Sequence, residues 1–276
     1  MVKKLLKHEF IYYFRTFSLF LPIVLVISAM ARVFSLINDD GNPPMIRAIT
    51  EIADFSASAM LFVSCAALLV LSTVIGIVRF YKNMYSSEGY LTFTLPVTNA
   101  QHILVKLIGA IAWQAVSLLT VFTAGCIAFA GPQLVDAFRM IAHLMDEIVF
   151  ELGVGHVVAF AAEILILILI SVVSTMLLYY ACITVGQTAK KNRILMAVGA
   201  YFIYYIATQA ISTVFTIAFT VLGMSNAFDG ILPWIAAHPF ATLHIVFCGA
   251  IVISAAMTAA FWIVTQKIMT KKLNLE

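Results

Sequence analysis

The sequence predicts an all-α integral membrane protein, with about six transmembrane helices in a single transmembrane domain, residues 1–276, and both termini in the cytoplasm. Three observations predict it. Hydrophobic residues make up 63% of the chain and charged ones 11%, with a mean hydropathy of +1.05, more apolar surface than a soluble core can use. Six stretches, roughly 17–37, 58–78, 107–130, 164–185, 194–222 and 243–265, are apolar on all sides. At ~1.5 Å per residue each can cross ~30 Å of hydrocarbon. Thirteen of the sixteen Lys and Arg fall on one side of these spans, and nine of the thirteen acids on the other. Basic loops resist translocation, so the basic side is cytoplasmic. The net charge of +3 is that topology signal and asks for no nucleic-acid partner.

In chain order, residues 1–16 place Val2, Leu5, Leu6, Phe10, Tyr13 and Phe14 at helical spacing, with Lys3, Lys4 and Lys7 largely off that stripe. This predicts an amphipathic helix lying in the cytoplasmic interface, an anchor for the first span or a lever that a partner can push. Ala29-Met30-Ala31 mimics a signal-peptide cleavage site, but the apolar run continues to Ile37, so an uncleaved first span is expected. Arg32 sits near its outer end and can snorkel to headgroups. Asn38 to Pro44 is a run of turn formers opening an external loop, 38–57. In the second span Ser58, Cys65 and Ser72 recur every seven residues. Such a stripe suits close helix packing and also a substrate path.

The cytoplasmic segment 79–106 is the most distinctive. Tyr81 to Glu88 can form a short amphipathic helix ended by Gly89. Thr98 with Gln101 makes a capping box that starts the next helix near Asn99, before it enters the membrane past Lys106. A short exposed helix clamped between two spans is a handle for a cytoplasmic motor.

Beyond the third span, Gly131-Pro132 opens an external segment, 131–163, in which a short surface helix carrying Asp136, Arg139, Asp146 and Glu147 is expected. His143 and His156 are too far apart for a metal pair and read as solvated, and Glu163, at the edge of the fourth span, reads as a snorkelling or capping acid. Gly186 to Lys191 lacks the second glycine and the hydroxyl of a phosphate-cradling loop. The chain therefore carries no ATPase motif of its own, and no catalytic or metal-ligating set stands out. The fifth span aligns Tyr201, Tyr205, Thr208, Ser212 and Thr216 on one face, again a dimer or path surface. Residues 223–242 hold one charge, Asp229, and the apolar run Ile231 to Ala237. They are too apolar for a solvated loop and too short to span, so a re-entrant or interfacial element before the sixth span is expected. His238 and His244 flank Pro239 and read as interface residues. Cys65, Cys126, Cys182 and Cys248 lie in four different spans and read as packing residues.

The basic amphipathic start, Glu88-Gly89-Tyr90-Leu91, then Leu95-Pro96-Val97-Thr98 and Lys106 leading into the third span resemble the transmembrane subunit of ABC-2 type transporters, the small six-span bacterial permeases. The resemblance covers the whole chain as topology and particular residues only around 79–106. It implies a short cytoplasmic coupling helix between spans 2 and 3, docked on a separate cytoplasmic ABC ATPase subunit that carries ATP and Mg. By resemblance, Tyr81, Lys82, Tyr85, Glu88 and Gly89 take the coupling role and Lys3, Lys4, Lys7 and Phe10 the connecting-helix role. It further implies a second permease chain, a lipid environment in a bacterial plasma membrane, and export of an amphipathic peptide, drug or lipid. A secondary transporter would instead need helices broken at mid-membrane and ionisable groups there. A membrane-embedded enzyme would need clustered acids or histidines at the membrane edge, and a sensor or immunity subunit could share the fold without transporting.

Overall fold

The computed structural model describes residues 2–37, 43–86, 89, 94, 96–225 and 229–271. Its regular elements are helices: α1 (Val2–Ile37), α2 (Pro44–Tyr85), α3 (Asn99–Ala128), α4 (Pro132–Leu152), α5 (Val154–Gly186), α6 (Arg193–Met224), α7 (Leu232–Ala237) and α8 (Pro239–Lys271). Among the described residues six of these, α1, α2, α3, α5, α6 and α8, are long and apolar enough to cross a membrane. The chain is a multi-pass membrane protein of all-α class.

Local chemistry sets the boundaries. Pro44, Pro132 and Pro239 each stand first in a helix, where the missing N–H is no loss and the fixed φ suits the first turn. The expected capping box is present, Thr98 Oγ1 accepting from Gln101 N at 3.4 Å while Thr98 N donates to Gln101 Oε1 at 3.1 Å. Gly153 turns the chain between α4 and α5 with φ +79°, a conformation other residues rarely adopt.

Several sequence expectations change in extent. Residues 2–16 are not a separate interfacial helix but the start of a 36-residue α1, because nothing between Phe14 and Leu19 breaks the helical backbone. Tyr81–Tyr85, read as the start of a short independent helix, is the last turn of the 42-residue α2, and Glu88 lies outside the described residues. At ~1.5 Å per residue these helices exceed the ~30 Å hydrocarbon layer, so both project beyond it. Residues 44–57, expected as loop, are helical too. The short external helix becomes the 21-residue α4, and α5 begins at Val154. In the third external segment the apolar run folds as the six-residue α7.

The chain forms two compact units, Met1–Met84 with Leu91–Ile148, and Tyr85–Tyr90 with Val149–Glu276. In the first, α1 packs along α3. The buried face of α1 runs Glu9, Tyr13, Phe17, Val24, Ser28 and Ala31. It meets a face of α3 rich in small residues, Gly109, Ala110, Ser117, Ala124 and Ala128, the composition by which helices approach closely in lipid. Tyr13 and Phe17 stack on Trp113 with centroids 6.3 and 5.5 Å away. In the second, α5 packs on both α8 and α6, with its buried residues, Met176 to Gly186, gathered at its C-terminal end. No residue of α6 is buried within the chain, so its apolar sides face lipid or another protein. Hydroxyls within the spans bond to their own helix, for example Ser72 Oγ to Leu69 O at 2.8 Å and Thr216 Oγ1 to Ser212 O at 2.9 Å, which satisfies them without water.

Gly186 tests the close approach of α5 and α6. A Cβ there would lie 2.7 Å from Arg193 O and 2.8 Å from Ala197 Cα, backbone atoms that cannot swing aside, whereas a Cβ on Gly249 meets nothing within 4 Å. Gly186→Ala should lower unfolding stability in detergent by about 1–3 kcal/mol, and Gly249→Ala should leave the thermal midpoint unchanged or slightly raised.

Candidate functional site

The two ends of segment 79–106 meet on one carboxylate. Glu9, on the inner face of α1, accepts from Lys106 Nζ through Oε1, while Arg79 Nη2 and Nε reach Oε1 and Oε2, each at 3.3 Å. The Arg79 guanidinium also lies over the Tyr12 ring, 3.8 Å from its centroid, adding a cation–π contact. Burial is nearly complete, 3% exposure for Glu9 and 2% for Lys106. A carboxylate so withdrawn from water needs its cations, and two of them leave the cluster with a net charge of +1. Gly109 makes room, since a Cβ there would sit 3.2 Å from the Tyr13 ring and 3.6 Å from Glu9 Cβ. The cluster therefore ties the C-terminal part of α2 and the N-terminal part of α3 to α1.

Glu9 was not legible as a site residue because it sits in a helix whose pattern reads as a membrane anchor. Two signals could have found it. It is the one acid in the first 38 residues, and it stands four residues before Tyr13 and eight before Phe17, on the face that is buried.

The residues expected to couple or connect divide between the two units. Lys3, Lys4, Lys7 and Phe10 are exposed on α1, with Lys82 exposed and Tyr81 half-buried on the last turn of α2. In the second unit the Tyr85 hydroxyl is 2.8 Å from Thr184 Oγ1, so it faces inward. Gly89 donates its N–H to Ser86 O at 2.8 Å.

The α2 stripe divides. Ser72 is buried, while Ser58 and Cys65 line a cleft of about 430 Å³ with Ala31 and Ser35 of α1, Asp54 of α2 and Gly125 of α3. Hydroxyls, one acid and small apolar side chains suit an amphipathic occupant. On α6, Tyr201 and Thr208 are half-buried and Tyr205, Ser212 and Thr216 exposed.

A second polar group was missed. Glu163 is paired rather than snorkelling: its Oε1 lies 2.8 Å from His244 Nδ1, and His244 Nε2 is 3.1 Å from His156 Nδ1. His244 stacks on Phe160 at 4.1 Å and 12°, and His156 on Phe240 at 5.2 Å. His244 and His156, read as unconnected interface and surface residues, are thus joined across α5 and α8. His156 and Glu163 are seven apart, two helical turns on one face, the spacing that would have suggested it. Among the described residues no group of three or more His, Cys, Asp or Glu is arranged to hold a metal ion.

Removing the Glu9 charge should be costly because Lys106 stays buried. Glu9→Gln is expected to lose about 3–5 kcal/mol of stability in detergent, and adding Lys106→Met should restore most of it. Denaturation curves of the two variants against wild type check both signs.

No family model, curated protein or solved structure matches the chain, and its own residues are what a functional reading stands on.

Proposed function

We propose that the chain is the transmembrane permease subunit of an ABC-2 type exporter in a bacterial plasma membrane, itself without catalytic activity. A separate cytoplasmic ABC subunit hydrolyses ATP with Mg, and a second permease chain, identical or similar, completes the path. The observation that carries this reading is the Glu9–Arg79–Lys106 cluster. A motor pushing on the segment between Arg79 and Lys106 pushes on both its anchors, and through Glu9 on α1. Three spans then move together, which converts closure of the ATPase into a population shift between inward- and outward-open states. Lys3, Lys4, Lys7 and Lys82, exposed near the same end, supply the charge that steers an acidic docking surface.

The cleft holding Ser58, Cys65 and Asp54 suits the amphipathic cargo, a peptide, drug or lipid, expected of such an exporter. The secondary-transporter reading is weaker because each of the six spans is a continuous helix among the described residues, whereas ion-coupled carriers build their sites from helices broken at mid-membrane. The exposed, hydroxyl-bearing face of α6 suits the second permease chain.

The test is co-purification of the solubilised chain from its host with ATPase activity as readout. A nucleotide-hydrolysing subunit should come down with the wild type. Lys82→Glu and Glu88→Ala should reduce its retention about tenfold, the effect of ~1.4 kcal/mol at a docking surface. A chain that purifies without any ATPase, under conditions that keep other such complexes intact, contradicts the reading.

A further inference from the structure

The polar group between α5 and α8 has a chemistry that transport by a cytoplasmic motor does not use. Twenty-three residues separate Glu163 from Gly186 on α5, and twenty-three separate His244 from Lys267 on α8. At ~1.5 Å per residue Glu163 lies ~35 Å from the end of α5 and His244 ~35 Å from Lys267, one turn before the end of α8, which on the expected topology puts both at the outer edge of the hydrocarbon. His156 is two turns farther out and exposed. Side-chain exposure then falls inward, to 23% for His244 and 16% for Glu163. The order from outside to inside is imidazole, imidazole, carboxylate, each within hydrogen-bond reach of the next.

The donors form a line. His244 gives one ring nitrogen to each neighbour, so its lone pairs do not converge on a point as a metal ion requires. A line of two imidazoles and a carboxylate binds and passes protons. With both rings neutral, His156 Nδ1–H donates to His244 Nε2, and His244 Nδ1–H donates to Glu163 Oε1. A proton arriving from external water forms a bond to His156 Nε2. The His156 Nδ1–H bond then breaks as a new one forms at His244 Nε2, leaving His156 neutral and His244 an imidazolium. That cation faces the Glu163 carboxylate and the Phe160 ring, both of which favour it. A second proton on His156 leaves neither ring with a lone pair for the other and sets two cations side by side. The link between α5 and α8 is then lost.

We propose that His156, His244 and Glu163 form a proton-binding site loaded from the external side, which holds one proton with the outer ends of α5 and α8 joined and parts His156 from His244 when a second binds. Other ionisable groups on the elements packed against these are few. Residues 154–170 of α5 contain only His156 and Glu163, residues 239–256 of α8 only His244 and Cys248, and residues 209–224 of α6 and all of α7 none. Cys248 Sγ is 3.9 Å from Glu163 Oε1 and donates weakly if at all. His238, before α8, stacks on Trp234 and holds its carbonyl at 3.1 Å. Asp229 precedes α7, and Glu151 is the penultimate residue of α4. The site stands whether or not the chain is an exporter.

The experiment is a pH titration of histidine ring signals by NMR in the full chain, labelled at histidine nitrogen and oriented uniformly in vesicles, with inner and outer pH set separately. His156 and His244 should follow external pH and titrate in two coupled steps, the second accompanied by loss of the ring-to-ring coupling. Glu163→Gln, which keeps the shape but removes the charge facing His244, should alter the two-step pattern. His156→Phe, which keeps the stack on Phe240, should leave His244 with a single step. Independent single-step titration of the two histidines in the wild type overturns the proposal, as does a two-step pattern unaltered by Glu163→Gln or signals that follow internal pH.

Discussion

A carboxylate taken out of water must be met by cations, and the pairing of Glu9 with Arg79 and Lys106 is the constraint on which the first unit depends. In bulk water such ion pairs contribute little, but at 2–3% exposure an unpaired member is a buried charge costing several kcal/mol. The geometry around it follows. Gly109 lacks a side chain where α1 must approach α3, Tyr12 lies under the guanidinium, and Tyr13, Phe17 and Trp113 stack to continue the contact into the membrane. The cluster is both a lock on helix register and the physical attachment of the segment between spans 2 and 3.

The rest of the molecule obeys the chemistry of a solvent that neither donates nor accepts hydrogen bonds. The backbone is satisfied within helices, and serine and threonine hydroxyls turn back onto carbonyls three or four residues earlier. Small residues let helices touch where apolar surface alone gives no reason to associate. Ionisable side chains inside this solvent are few, and the two groups of them differ in kind. The inner cluster is a closed set of opposite charges around one acid. The outer one, His156, His244 and Glu163, is a line of two imidazoles and a carboxylate. One is suited to holding helices together and the other to reporting on the medium.

Legibility followed the length scale of the signal. Six spans could be read from runs of twenty apolar residues, and the Thr98–Gln101 capping box from two residue types at the right spacing, because both are local. The joining of residues 2–16 to span 1, and of Tyr81–Tyr85 to span 2, was not legible. An amphipathic pattern does not say whether its apolar side meets lipid headgroups or another helix, and Tyr13 and Phe17 meet Trp113. Glu9 and Glu163 were missed for a related reason: a lone acid near a membrane edge looks the same from sequence whether it snorkels or is paired, and their partners are 70 to 97 residues away for Glu9 and 81 for Glu163. The His156–Glu163 spacing was visible, but His244 on another helix gives it meaning.

The central claim is that Glu9 fastens the cytoplasmic segment to α1. The most direct measurement is the spin-label distance distribution between positions 4 and 82, both exposed lysines of the first unit, in a chain freed of its four native cysteines and reconstituted in lipid. The account predicts one narrow distance in the Glu9 chain and a broadened distribution in Glu9→Gln. Distributions of equal width would mean that the segment is held in place by something other than this carboxylate.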